Sequence, residues 1–209
     1  MNGKRKIDLK TWPRREHFRM FRDFDEPFFG ICTEIDCTSA YRIAKDSGVS
    51  FFLLYLHRSL EAANDLEPFR YRTEGDDVVC YDSVDASTVV DRDDGTIGFS
   101  YITFYRDFGT FVAEAEKEIQ AVRNDKGLKP ALHNENVIHY TVLPWIRFTG
   151  FSHARRFGKL DSIPKIAFGK MHGEGERLLM PVSINVHHGL MDGFHVAQYL
   201  ERFQQLLDS

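Results

Sequence analysis

A strand, a turn and a helix can be located near the end of the sequence from their spacing alone. Apolar and polar residues alternate from Pro181 to His188, as they do in a β-strand with two different faces. From Val196 to Leu207 the apolar residues instead recur with the spacing of one helical stripe. This change of period predicts a tight turn at residues 188–192, between the strand and the helix.

The predicted turn carries an imidazole and a carboxylate, His188 and Asp192, four residues apart and next to glycines. The strand alternation places His188 on the face of Val182, Ile184 and Val186, and His187 on the opposite, polar face. Burial on an apolar face lowers the pKa of an imidazole, so we expect His188 to be neutral near pH 7. A neutral imidazole can act as a general base.

A structural interpretation of the same residues remains open on this pattern alone. His188 is then a core histidine with satisfied hydrogen bonds, and Asp192 is an ordinary cap of the helix that follows. Short motifs of this kind often occur without function.

Composition indicates one domain over residues 1–209, because no linker-like segment or long run of charge divides the chain. The net charge of -4 and a pI near 6.1 argue against nucleic acid and anionic membranes as partners. The longest apolar stretch, 51–56, is far too short to span a bilayer.

Three cysteines without metal-like spacing indicate free thiols, and the polar N-terminus lacks the apolar core of a secretory signal. We therefore expect a cytoplasmic protein.

Helical and strand patterns mix along the chain. Helices are predicted after Pro13 and at 39–45, 50–63 and 107–124. Strands are predicted at 28–36, 137–143 and 163–171, with a turn at 172–175 before the strand of the histidines. Strands that mostly return on themselves, with helices covering a face, predict an α+β two-layer sandwich with a mixed, mostly antiparallel sheet.

Five stretches together resemble one family, since each places rare residues in the same order. They are 12–18 (WPRREHF), 81–85 (YDSVD), 143–145 (LPW), 175–181 (GERLLMP) and 187–193 (HHGLMDG). On these residues the sequence resembles the chloramphenicol acetyltransferases, which are trimeric enzymes. They move acetyl from acetyl-CoA to a hydroxyl of the drug and so inactivate the antibiotic.

The resemblance implies roles for individual residues. His188 is expected to be the general base of a ternary complex, with no acyl-enzyme and no permanently bound cofactor. Thr141 stands where the family has a serine that donates to the oxyanion, although a threonine in a strand is more often only structural. Asp192 is expected to pair with Arg14 and support the loop.

The other histidines are expected to support the site or to lie outside it. His187 is interpreted as supporting, His195 as packed or bonded to backbone at the start of the last helix, and His17 as partly buried. No metal site is expected, because adjacent strand histidines point to opposite faces.

Substrate contacts follow from the resemblance as well, with departures from the family. Phe21 and Phe29 are expected to grip the acceptor beside His188, in a pocket that a neighbouring subunit supplies. Ala167 replaces a threonine and His139 an asparagine among acceptor positions, and Met171 replaces a tyrosine at the adenine end of CoA. These changes remove polar or stacking contacts.

The resemblance also implies a homotrimer with its active sites between subunits. Two alternatives remain. One is an acetyltransferase of this fold that uses another hydroxyl acceptor or another acyl-CoA, and the other is a trimeric ligand-binding relative without activity.

Overall fold

The fold is an α+β sandwich in which helices cover one face of a mixed sheet. The computed structural model describes residues 3–127, 135–155 and 161–209. Its helices are α1 (Arg15–Phe21), α2 (Thr38–Ser47), α3 (Phe51–Asp65), α4 (Phe108–Asn124) and α5 (Gly193–Leu207). Its strands are β1 (Lys4–Lys6), β2 (Phe28–Asp36), β3 (Tyr71–Glu74), β4 (Asp77–Tyr81), β5 (Asp85–Asp91), β6 (Ile97–Ile102), β7 (Val137–Val142), β8 (Lys165–Phe168), β9 (His172–Glu174) and β10 (Arg177–His187).

The strands form two sheets. The small sheet has the order β1-β4-β3, and the large one the order β2-β10-β8-β7-β5-β6, with β9 paired to β10. In the large sheet β7 runs parallel to both β5 and β8, and the other pairs are antiparallel. The predicted fold class, including the mostly antiparallel mixed sheet, is confirmed.

One face of the large sheet forms the main core with the helices. Ile184 of β10, Ile166 of β8 and Tyr140 of β7 lie in register with one another on this face. They pack in one cluster with Leu56 of α3 and Phe203 of α5. The cluster is apolar on both layers, so burial of this face holds helices and sheet together.

The helix ends follow the capping residues in the sequence. Ser50 accepts a hydrogen bond at its side chain from the Leu53 backbone N–H, 3.4 Å, and caps α3. Gly48 ends α2 in a left-handed conformation with φ of 68°, which glycine adopts without steric cost. Both ends lie close to the predicted ones.

Two predicted elements differ from the structure. The strand predicted at 163–171 is only Lys165–Phe168. The turn predicted at 172–175 is wrong, because His172–Glu174 pairs with β10 as β9 and the chain turns at Gly175. The chain reverses at Gly175, whose φ of 62° is a conformation that glycine adopts without steric cost.

Within the described ranges, no helix combines the length and the apolar character needed to cross a membrane.

Candidate active site

The turn after β10 is anchored in two separate cores. Met191 is buried in the main cluster, and its neighbour Leu190 is buried in a second cluster formed by α1 and the small sheet. The backbone N–H groups of both residues donate to the His187 carbonyl, at 3.0 and 3.1 Å. The turn is therefore fixed by packing on two sides and by its own hydrogen bonds.

His188 is held in this turn through both its backbone and its ring. Its N–H donates to the Pro27 carbonyl at 2.8 Å, and its carbonyl accepts from Arg14 Nη2 at 3.0 Å. The ring stacks on Phe21, with centroids 4.1 Å apart and planes at 15°, and lies 4.7 Å from the Phe29 ring. The imidazole Nδ1 is buried and has no hydrogen-bond partner among the described residues.

These ring contacts correct one expectation. Phe21 and Phe29 were expected in a pocket reaching His188 from a neighbouring subunit, but both contact His188 of their own chain. The reason is that β2 pairs directly with β10, which places Phe29 opposite Val186, and α1 ends at Phe21 above the same strand end.

An ion pair between Arg14 and Asp192 supports the turn that carries His188. Arg14 Nη1 donates to Asp192 Oδ2 at 2.5 Å, and the same guanidinium reaches the His188 carbonyl. Asp192 also caps α5, accepting from the Phe194 N–H at 3.1 Å. Its partial burial would raise the pKa of this carboxyl, but hydrogen bonds and charge from Arg14 and His195 outweigh burial and lower the pKa to about 2.

Asp192 therefore stays ionised at neutral pH, and Arg14 ties it to the residue that carries the imidazole. His195 lies in the first turn of α5, where its Nδ1 is 2.8 Å from Asp192 Oδ1 and 3.2 Å from the Asp192 backbone N. His17, expected to be partly buried, is exposed on α1.

Of the two adjacent histidines, His187 is the more deeply buried. His187 is only 4% exposed, and burial lowers its pKa to about 4, whereas His188 is half-buried just beyond the strand. The strand face with Ser183, Asn185 and His187 is thus covered, although its polar residues suggest an open face. The alternation assigned the two faces correctly but not the depth of burial on each.

Thr141 lies on the same sheet but far from His188 of its own chain. Thr141 pairs with Ala167 on β8, and Ala167 pairs with Ser183, five residues before His188. Two strand spacings of about 4.8 Å and five rises of about 3.3 Å separate the Cα atoms of Thr141 and His188 by roughly 19 Å. One chain does not bring the two side chains together.

A cavity of about 560 Å³ lies at Thr141, within the size range of small-molecule sites. Four charged side chains line it: Glu135, Arg155, Asp161 and Lys165. Lys165 is 7% exposed at its side chain, and it donates to Asp161 Oδ2 at 2.5 Å. Burial lowers the pKa of Lys165.

Two imidazoles face the same cavity, those of His139 and His153. Burial, reinforced by the charge of Lys165, lowers the pKa of each to about 4. Both rings are therefore uncharged at neutral pH.

The other two residues expected to contact substrates, Ala167 and Met171, are less accessible. Ala167 is 0% exposed, so within the chain it has no surface to offer an acceptor, contrary to the expectation for that position. Its side chain lies in the middle of the sheet, between β7 and β10, where it is fully covered. Met171 is partly buried and packs against the main core, after β8.

Sequence reasoning did not predict Lys165, Arg155, Asp161 or His153 as part of a site. Arg155, His153 and Asp161 lie outside helices and strands, so no periodicity signals their direction. A lysine inside a strand of buried residues was the one available signal, since lysine is seldom buried without a partner. Among the described residues, no cluster of three or more histidine, cysteine, aspartate or glutamate side chains is arranged to hold a metal ion.

Comparison with known proteins identifies the family. The family model described as chloramphenicol acetyltransferase matches residues 1–204. The chain belongs to the chloramphenicol acetyltransferase family. Chloramphenicol acetyltransferase 3 of Escherichia coli is 31% identical over 207 residues, which cover 98% of this chain and 97% of that protein.

Solved structures agree with this membership. A structure of a chloramphenicol acetyltransferase superposes with a TM-score of 0.91 at 31% identity, covering 98% of this chain and 100% of the other. The dihydrolipoamide acetyltransferase of Azotobacter vinelandii superposes with a TM-score of 0.63 at 18% identity, covering 88% of this chain and 82% of its own, and shares the fold alone. The resemblance found in the sequence is confirmed, and the chain is an acyltransferase of this family's type.

Proposed function

We propose that this protein transfers acetyl from acetyl-CoA to a hydroxyl of chloramphenicol, in a ternary complex bound between two copies of the chain. Family membership supports the reaction. The observation that carries the mechanism is the fixation of His188, whose backbone and ring are both held while its Nδ1 is turned into the protein.

In the proposed reaction His188 Nε2 takes the proton of the acceptor hydroxyl, because Nδ1 is buried. The acceptor oxygen attacks the thioester carbonyl carbon as its O–H bond breaks. The carbon–sulfur bond then breaks, and the proton passes from His188 to the thiolate, giving the acetyl ester and free CoA. A positioned base of this kind contributes about 10²–10⁴-fold.

Thr141 is proposed to stabilise the oxyanion that forms on the thioester carbonyl. Its hydroxyl lies on a strand, at the wall of the cavity, where a donor is already oriented before the charge develops. Loss of one such donor costs about 10²–10³-fold in rate.

A second copy of the chain is proposed to bring Thr141 to His188, since the two are roughly 19 Å apart within one chain. Large apolar side chains are exposed beside each of them: Met20, Phe24 and Phe194 near His188, and Trp145 and Ile146 after Thr141. Exposed apolar groups of this kind are typical of surfaces that are covered on assembly. The family's trimer provides such an arrangement, and we propose it here.

One alternative is favoured by a specific observation. The charged and imidazole side chains at the cavity fit a different hydroxyl acceptor better than an aryl group. The chemistry at His188 is unchanged in this alternative.

Free Cys32, Cys37 and Cys80 fit a reducing compartment, and we propose that the protein is located in the cytoplasm.

The proposed function is tested by release of CoA thiol from acetyl-CoA in the presence of chloramphenicol. We expect turnover by the parent and a fall of roughly 10³-fold in His188→Ala, without loss of folding. His17→Ala removes an exposed histidine of α1 and is the matched control, with activity unchanged. Drug binding without thiol release in the parent would contradict the proposal and indicate a ligand-binding protein.

A further inference from the structure

His187 holds the turn that carries His188 through its ring as well as through its backbone. The ring Nδ1 accepts a hydrogen bond from the Gly189 backbone N–H at 3.1 Å. The His187 carbonyl accepts from the next two amides, those of Leu190 and Met191. Three successive N–H groups, all of which follow His188, are therefore bound by one residue.

The peptide bond between His188 and Gly189 is held at both of its polar ends. Its N–H donates to the His187 ring, and its carbonyl accepts from Arg14 Nη2 at 3.0 Å. The peptide bond before it is held by the His188 N–H, which donates to the Pro27 carbonyl at 2.8 Å. Peptide bonds are planar, so fixing the two planes that flank the His188 Cα also fixes the direction in which its imidazole leaves the backbone.

The His187 ring can accept this bond only in one neutral tautomer. Nδ1 has to be unprotonated, so Nε2 carries the ring proton, and the charged form has no acceptor nitrogen at all. Burial favours the neutral form, because it lowers the pKa of His187 to about 4 although the charge of Asp161 acts in the opposite direction. Among the described residues, the charged side chains that line the cavity of about 210 Å³ beside His187 are Arg22, Asp23, Asp25 and Asp161.

Packing keeps the His187 ring in place beside the Gly189 amide. The ring lies edge-on to Phe28, with centroids 5.8 Å apart and planes at 68°. The Phe28 ring in turn lies 4.4 Å from the Arg155 guanidinium and 4.5 Å from the Lys165 ammonium group. A buried ring packed in this way has little room to turn away from its hydrogen bond.

We propose that His187 is a positioning residue of the acetyl transfer, which orients the His188 imidazole by accepting the backbone N–H of Gly189. This inference rests on the proposed function and adds a second histidine to the residues on which the reaction depends. His187 acts through the peptide bond after His188 and takes no part in the proton transfer. It differs from Arg14, which holds the carbonyl of the same peptide, because its bond depends on an unprotonated ring nitrogen.

Two substitutions separate this hydrogen bond from packing. His187→Leu fills the space without an acceptor, whereas His187→Asn keeps an amide oxygen near the position of Nδ1. With acetyl-CoA and chloramphenicol, we expect kcat of His187→Leu to fall about 10²-fold through misplacement of the imidazole, with both KM values nearly unchanged. His187→Asn should recover most of this loss, and His17→Leu should follow the parent, because His17 is exposed on α1.

The tautomer is measured in the parent by NMR of histidine labelled with ¹⁵N in the ring. The His187 signals are identified by their absence from His187→Asn. We expect an unprotonated Nδ1 and a protonated Nε2 at pH 7. A protonated Nδ1 would overturn this inference whatever the activities of the variants.

This inference and the proposed function fail in different ways. An unchanged kcat in a folded His187→Leu, or equal losses in His187→Leu and His187→Asn, would overturn the inference and leave the proposed function standing. If His187→Leu does not fold, the tautomer of the parent and the kcat of His187→Asn decide. Absence of thiol release in the parent would overturn both.

Discussion

The two halves of the proposed site are built in opposite ways. Around His188 the chain supplies aromatic stacking, backbone hydrogen bonds and an ion pair, and the surrounding turn is fixed in two cores. Around Thr141 it supplies a cavity lined by charged side chains and imidazoles, next to exposed Trp145. The first half is preorganised within one chain, and the second is a binding wall that carries the proposed oxyanion donor.

This difference indicates that the general features of the reaction and its specificity are carried by separate parts of the sheet. The base needs a fixed geometry, since a misplacement of about 1 Å can cost about 10²-fold in rate. The cavity wall can change its side chains without disturbing that geometry, because β8 lies between β7 and the strand that ends at His188.

The largest expected effect comes from mixing two impaired variants, each of which lacks one half of the proposed site. His188→Ala keeps the Thr141 half, and Thr141→Val keeps the His188 half but is expected to lose about 10²-fold. In trimers assembled from equal amounts of both, about a quarter of the sites receive both intact residues if each site takes them from different copies. Thiol release should therefore recover to about a quarter of the parent value.

Each variant alone, assembled in the same way, is the control for this mixture. A mixture no more active than the average of the two pure variants would place both residues in a site of one chain. That result would contradict the division of the proposed site into a His188 half and a Thr141 half from different copies of the chain.

A smaller effect is expected at the ion pair that supports the His188 half. Arg14→Met leaves Asp192 and the His188 carbonyl without their partner, and the Arg14 side chain is only 13% exposed. We expect kcat to fall about 10²-fold through misplacement of the imidazole, and stability to fall by roughly 2 kcal/mol, less than for a fully buried pair. Steady-state kinetics and urea unfolding measure the two effects.

Arg15→Met is the matched control, because Arg15 is the adjacent arginine and, within the part of the chain that the structure describes, its one ion pair is with Glu16 at the surface of α1. Exposed pairs of this kind contribute little. Equal effects of the two substitutions would show that Arg14 acts through general charge rather than through the turn.

The sequence predicted the His188 half better than the Thr141 half, for a physical reason. His188, Asp192 and the start of α5 lie where one regular period changes to another, and local spacing determines such boundaries. The side chains at the cavity come from separate segments, including irregular ones around His153 and Asp161. Only tertiary packing brings them together.

Burial was the other point that spacing left undetermined. Alternation correctly placed Val186 and His187 on opposite faces of β10, which pairs with β2 on one side and with β8 on the other. It does not reveal that polar Ser183, Asn185 and His187 are covered as fully as the apolar face. Whether a polar face is buried depends on distant segments of the chain.

The smallest expected effect concerns this buried histidine and the pH dependence of stability. The folded pKa of His187 is about 4, below the ordinary 6.5, so the unfolded chain takes up the proton first as pH falls. The stabilisation is complete above pH 6.5 and is lost as pH falls from 6.5 towards 4. Between pH 7 and 5, His187→Gln should therefore show a loss of unfolding free energy smaller than the parent's by about 2 kcal/mol.

Urea unfolding at the two pH values measures this difference, with His17→Gln as the exposed control that should follow the parent. His139, His153 and His57 also have lowered pKa values and remain in every variant, so the parent and the variant should both lose stability in acid. An identical pH dependence of His187→Gln and the parent would mean that proton uptake at His187 is the same in the folded and unfolded chains. The covered polar face would then be open to water, and the contrast between a packed His188 half and an accessible Thr141 half would weaken accordingly.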